Sequence, residues 1–155
     1  MAFGALSVKG RALRCLAQRE HSRIELERKL ARHVVDTDEA SAQTQIARAL
    51  DELAAAGLQS EVRTAESVLA SQGQRYGVRR LKQTLQHKGL DPELVIATLQ
   101  AARSTEVERA REVWRRRFGS PAADGAERAR QFRFMAGRGF EGDVIRRVVQ
   151  GADDD

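Results

Sequence analysis

Three runs of cations are the residues in this 155-residue chain best suited to do chemistry. Arg79, Arg80, Lys82 and Lys88 lie in one short segment, Arg115, Arg116 and Arg117 in another, and Arg128, Arg130, Arg133 and Arg138 in a third. Guanidinium and ammonium groups at this density suit phosphates or an acidic protein surface. A plainer reading is that each arginine solubilises an exposed helix face and pairs with a glutamate three or four positions away. The pooled set favours contact, because few acids interrupt the first and third runs.

No constellation points to catalysis. The chain has no Cys-x-x-Cys pair, no His-Glu-x-x-His, no Gly-x4-Gly-Lys-Ser/Thr loop and no Gly-x-Ser-x-Gly elbow. No enzymatic turnover, cofactor or metal is therefore expected. His21 at a helix boundary, and His33 and His87 near helix C-termini, read as capping or solvated groups rather than ligands. Trp114 reads as a core anchor rather than a base-stacking platform. Tyr76, at a turn beside the first basic run, fits packing and contact equally.

The elements that position these cations follow from a spacing that occurs three times: Ala12-x-x-Cys15-Leu16, Ala65-x-x-Val68-Leu69 and Ala110-x-x-Val113-Trp114. Apolar residues at i, i+3 and i+4 form the buried stripe of an amphipathic helix, so Cys15 reads as a small core residue. A longer echo links Lys88-Gly89-Leu90-Asp91-x-Glu93-Leu94-Val95 with Arg138-Gly139-Phe140-Glu141-x-Asp143-Val144-Ile145, fifty positions on. In both, a cation ends a helix, glycine supplies the left-handed C′ residue and an apolar residue folds back on the last turn.

Reading outward gives three helices per copy. Copy one has helices over Val8 to Gln18, after the Ser22-x-x-Glu25 capping box, and from Asp38 to Ala56, closing at Gly57-Leu58. Copy two has Ser60 to Gln74, Val78 to Lys88 and Pro92 to Ala102, with Leu81 and Leu85 repeating the ridge of Leu26 and Leu30. Copy three has a helix from a second capping box, Thr105-x-x-Glu108, to near Phe118, a loop over Gly119 to Gly125, and helices over Ala126 to Arg138 and Glu141 to Val149. No segment alternates with period two, so no strand is expected. The fold class is all-α: three-helix repeats over residues 8–58, 59–103 and 104–150, stacked in tandem, with an acidic, frayed tail over 151–155.

Charge is spread unevenly over these copies. The formal net charge is +5. Nine cations face eight carboxylates in residues 1–59, and seven face four in 60–103. In 104–155 eleven face ten, three of which are the terminal aspartates. The positive face thus belongs to copies two and three. One cysteine forms no internal disulfide, the start lacks a signal-peptide pattern, and no apolar run approaches the ~20 residues of a membrane span. A reducing cytoplasm fits, with no membrane partner.

From about Lys9 to Val149 the chain resembles the RecX family, bacterial regulatory proteins that modulate the RecA recombinase. Copy one carries Arg11-Ala12-Leu13 and Ser22-Arg23-x-Glu25-Leu26-x-x-Lys29-Leu30. Copy two carries Tyr76-Gly77-x-Arg79-Arg80-Leu81-x-x-x-Leu85-x-x-Lys88-Gly89-Leu90. Copy three carries Ala110-Arg111, Phe118-Gly119, Glu127-Arg128-Ala129-Arg130-Gln131-x-Arg133-Phe134 and Arg138-Gly139-Phe140. Two departures stand out: Gln59-Ser60 where the family commonly has acids, leaving Ser60 as the cap, and Thr84 where it commonly has Glu, which makes that helix more basic.

The resemblance implies an elongated, curved monomer of tandem three-helix units that binds the RecA filament along its groove, with weak, salt-dependent binding of single- and double-stranded DNA. It implies restraint of RecA's strand exchange, ATP hydrolysis and co-protease activity, in DNA repair and the SOS response. The residues expected at that contact are Arg79, Arg80, Lys82, Lys88, Arg115, Arg116, Arg128, Arg130, Arg133 and Arg138. The competing reading is a sequence-specific helix-turn-helix regulator, which the absence of a dimerisation helix and of an Asn/Gln plus Arg mix argues against. A scaffold that binds only protein is a third class, distinguished by no DNA retention at low salt.

Overall fold

The computed structural model describes residues 4–151 of the chain, and these form nine α-helices with no strand. They are α1 (Val8–Gln18), α2 (Arg23–Ala31), α3 (Ala42–Ala55), α4 (Glu61–Gln72), α5 (Val78–His87), α6 (Pro92–Arg103), α7 (Glu106–Arg117), α8 (Gly125–Gly137) and α9 (Gly142–Gly151). The all-α expectation holds. Most of the acidic tail lies outside the described residues, from position 152 on.

Local chemistry sets most helix starts. The Ser7 hydroxyl accepts from the Gly10 N–H at 3.0 Å, and Ser22 forms the expected capping box with Glu25. Asp91 caps α6 with Pro92 at the first helical position, Asp124 caps α8, and Ser60 accepts from the Arg63 N–H at 3.2 Å. Two starts differ from the sequence expectation. α3 begins at Ala42 rather than Asp38, because Thr37 and Ala40 close a turn and Ser41 caps instead, accepting from the Thr44 N–H. Thr105 makes no cap: its hydroxyl donates to the Ala102 carbonyl and accepts from Arg109 Nε, leaving it no geometry to serve the first turn of α7.

The glycine closures expected at Gly57 and Gly139 occur, and Gly89 has the expected positive φ. At the end of α3 the Leu58 N–H reaches the Leu53 carbonyl at 2.9 Å and the Gly57 N–H reaches Ala54 at 3.0 Å, with Gly57 at φ +74°.

By backbone proximity the chain divides into two compact units: the chain up to Thr64 together with Lys88–Leu90, and Ala65–His87 together with Asp91 onward. The first unit packs α1, α2 and α3 around Ala12, Leu26, Leu30, Ile46, Leu50 and Leu53. Cys15 is half-buried against this cluster, at its edge. In the second unit, α7, α8 and α9 enclose Ala110, Trp114, Met135, Phe140, Val144, Ile145, Val148 and Val149. The repeated alanine is the invariant of the design: Ala12, Ala65 and Ala110 are 0%, 1% and 0% exposed, the close approach that only a small side chain permits. Trp114 is buried, and its indole N–H donates to Gln131 Oε1 at 2.9 Å, so the polar edge of the ring is satisfied inside the core.

Candidate functional site

The second helix of copies one and two begins in two parallel settings, and their difference defines the site. Since Leu81 and Leu85 repeat Leu26 and Leu30, Tyr76, Gly77, Val78 and Arg80 stand where His21, Ser22, Arg23 and Glu25 stand in copy one. By the fifty-residue echo, Arg138 stands where Lys88 does.

In the first unit the setting is neutralised. Lys88 Nζ lies 2.9 Å from Glu25 Oε1, Arg19 Nη2 lies 2.8 Å from Glu25 Oε2, and the Ser22 hydroxyl donates to the Lys88 carbonyl at 2.6 Å. Burial alone would raise the Glu25 carboxyl, but bonds from Arg19, Lys88 and the Ser22 N–H outweigh it and hold the group at about 2. His21 is fully buried rather than solvated. Its Nδ1 lies 3.0 Å from the Arg19 carbonyl oxygen and its Nε2 2.8 Å from Lys29 Nζ, which assigns Nδ1 as donor and Nε2 as acceptor. Burial pushes its pKa down, in keeping with the neutral ring. Lys88, expected at the contact, is thus committed to an ion pair with only 16% of its side chain exposed.

In the second unit the equivalent setting is cationic. The backbone does the joining: the Gly77 N–H donates to the Arg138 carbonyl at 2.9 Å and the Arg79 N–H to the Gly139 carbonyl at 3.0 Å. The close approach requires glycine, because a Cβ on Gly139 (φ +89°) would come within 2.6 Å of Arg80 Cβ. Around the half-buried Tyr76 ring stand three guanidiniums, with Arg80 3.9 Å, Arg75 5.4 Å and Arg138 5.6 Å from its centroid. Arg138 and Arg117 each lie 5.2 Å from the Phe134 centroid. A cavity of about 250 Å³ opens beside them, lined by Gln74, Arg75, Val113, Arg116, Arg117, Phe134 and Arg138. Among the described residues Arg75, Arg80 and Arg138 make no ion pair with a carboxylate.

Two residues hold this arrangement in place, the half-buried Arg109 and the buried Glu106. Arg109 donates to the Gly73 carbonyl at 2.7 Å, to Tyr76 at 2.8 Å and to Ala102 at 2.9 Å, so one fork fixes the turn that carries Tyr76. Glu106, 3% exposed, accepts from the Val78 N–H at 3.2 Å and the Glu141 N–H at 3.4 Å, tying the starts of α5 and α9 to α7. Burial raises its carboxyl and is only partly offset by those two bonds. Neither role is signalled in the sequence, since both depend on partners 28 to 36 residues away. Arg75 stands outside the expected contacts, and its place beside Tyr76 in the sequence is the signal for it.

Of the remaining expected contacts, Arg116 shares the first cavity and the others scatter. Arg79 and Lys82 line a second cavity, of about 380 Å³, with Gln83, Gln86, Arg103 and Glu141. Arg115 and Arg116 both pair with Glu112, at 2.8 and 3.0 Å, and Arg130 pairs with Glu127 at 3.1 Å. Arg128 and Arg133 are exposed on α8. None of these α8 cations lines either cavity. No group of three or more His, Cys, Asp or Glu among the described residues could hold a metal ion, and no described helix is long and apolar enough to cross a membrane.

Comparison with known proteins agrees with this architecture. Residues 104–149 match the family model described as RecX, third three-helix domain. Regulatory protein RecX of Leptothrix cholodnii is 51% identical over 148 residues, covering 96% of this chain and 90% of that one. The Chromobacterium violaceum protein of the same name is 43% identical over 155 residues, covering 100% and 97%. The crystal structure of RecX from Lactobacillus salivarius superposes with a TM-score of 0.76 at 20% identity, over 96% of both chains, so there the fold is shared while the sequence has diverged. At 51% and 43% identity to curated relatives over nearly the full length of both chains, the chain belongs to the RecX family of regulatory proteins.

Proposed function

We propose that this protein is a non-enzymatic, monomeric, cytoplasmic regulator that binds RecA–DNA filaments and restrains strand exchange, ATP hydrolysis and co-protease activity. The relatives are named as regulators, and a basic face on copies two and three fits a nucleoprotein partner. The observation that carries the reading is the set of uncompensated guanidiniums around Tyr76. Arg80 and Arg138 are its centre, with Arg116 on the adjoining cavity, Arg79 and Lys82 on the second cavity, and Arg115, Arg128, Arg130 and Arg133 as a wider rim. Lys88 is left out because Glu25 already neutralises it.

The test is the triple substitution Arg79→Glu, Arg80→Glu and Arg138→Glu. It should abolish inhibition of RecA's DNA-dependent ATPase while circular dichroism reports an intact helical fold. Unchanged inhibition by the folded variant sinks the assignment. A preference of ~10³-fold or more for one duplex sequence over random DNA would instead favour the helix-turn-helix reader.

A further inference from the structure

The two helix starts pose a question of charge. At the first, Glu25 and Lys88 face each other across 2.9 Å, and the pair is complete within the protein. At the second, both equivalent positions are arginine, and both guanidiniums stand over one aromatic ring. The joint is held by backbone bonds through Gly77 and Gly139 and by the buried Glu106, so these two side chains are not needed to close it. Like charges gathered without a counter-charge raise the energy of the free protein and favour an anion between them.

We infer that the Arg80–Tyr76–Arg138 cluster, with Arg75, is a phosphate site that takes the sugar–phosphate strand of a nucleic acid and does not read its bases. This rests on the reading of the basic face given above and specifies what that face holds. Two observations select phosphate over base. Arg80 stands 3.9 Å from the Tyr76 centroid, with Arg75 and Arg138 also over the ring, so cations already occupy the space that a stacked base would need. Tyr76 is instead the platform that orients planar forks, the geometry that matches phosphate oxygens two at a time. The adjoining cavity of about 250 Å³ adds Arg117 and Gln74, donors that would take a neighbouring phosphate.

The experiment uses the full chain without RecA. Binding of a fluorescent thymidine oligomer is compared by anisotropy with an oligomer of equal length that has the deoxyribose-phosphate backbone and no bases. The two should bind within about threefold of each other, with a log–log salt slope of roughly −2 for about three phosphates. Arg80→Glu places a carboxylate where copy one has Glu25, facing Arg138 as Glu25 faces Lys88. It should keep the melting temperature at or above that of the parent while weakening both oligomers about 10- to 100-fold, the loss of a charge-assisted bond. The paired change Arg80→Gln with Arg138→Gln gives the same reading should the first variant not fold.

Tyr76→Leu, which removes the platform, should weaken both oligomers equally. Selective loss of the base-bearing oligomer would mean stacking and overturn the proposal. So would unchanged binding by Arg80→Glu, or displacement of the oligomer by polyglutamate as effective as by the base-free strand, which would mark a site for acidic protein. Intact phosphate binding with lost control of RecA would count against the filament reading alone.

Discussion

Glu25→Gln isolates the ion pair that neutralises copy one. The amide keeps the size of the side chain and an oxygen for the Ser22 N–H, so the change falls on the bonds to Arg19 and Lys88. Glu25 is held at about 2 against an ordinary carboxylate value of 4.5, a difference equivalent to about 3 kcal/mol of stability. Arg19 is 47% exposed, so water and salt screen its share, whereas Lys88 at 16% is shielded; about 2 kcal/mol is the working figure. Because the folded value is depressed, this stability is fully present above pH 4.5 and is lost as pH falls toward 2. Urea unfolding followed by circular dichroism should show the variant's midpoint lower by about 1 M at pH 7, and by much less near pH 2.5. An equal deficit at both values, or none at pH 7, would refute the assignment of this stability to the charged carboxylate.

Three further outcomes follow from the packing. Gly139→Ala should lower stability by about 2 kcal/mol or more, since it meets Arg80 and needs a positive φ, whereas Gly137→Ala, in open space at the end of α8, should be neutral or stabilising by up to about 1 kcal/mol; thermal unfolding of the two variants checks the contrast. Trp114→Phe removes the donor to the buried Gln131 and should cost about 1–3 kcal/mol in urea unfolding, part of which Gln131→Leu in the same chain restores. Glu106→Gln should be tolerated at pH 7, because the Val78 and Glu141 N–H groups both bond to one oxygen, which the amide keeps, and burial already disfavours the charged form of this carboxyl. Glu106→Ala, by contrast, leaves the Val78 and Glu141 N–H groups without an acceptor and should lower the melting temperature by several degrees.

Features set within one turn of chain were legible in the sequence. The Ser22 box, Asp91-Pro92 and the Gly57 closure each satisfy helix-end groups with residues at most five positions away, and the alanine triplets mark the closest packing. Misreadings arose where partners are distant or compete. His21 looks like a helix-boundary residue, yet Gln59, thirty-eight positions on, covers its carbonyl and the ring is buried. Thr105 satisfies the capping-box pattern, but Arg109 and Ala102 claim its hydroxyl. By composition Lys88 is one more cation of its run, and only the fold brings Glu25 within 2.9 Å of it. The cationic face was readable as composition; its focus on Tyr76 was not, since Arg138 reaches that ring from sixty-two positions away.

The Glu106 contact also bears on the order in which the chain can mature during synthesis. Gly77, just before α5, has no side chain with which to cap it, and the acceptor for the Val78 N–H is the first residue of α7, which leaves the ribosome twenty-eight residues later. α8 differs, because Asp124 caps it from the adjoining loop. The most basic helix of copy two therefore acquires its full set of bonds only once copy three has begun to fold, so a nascent chain halted before Glu106 would carry the cations of α5 on an end still open to fraying.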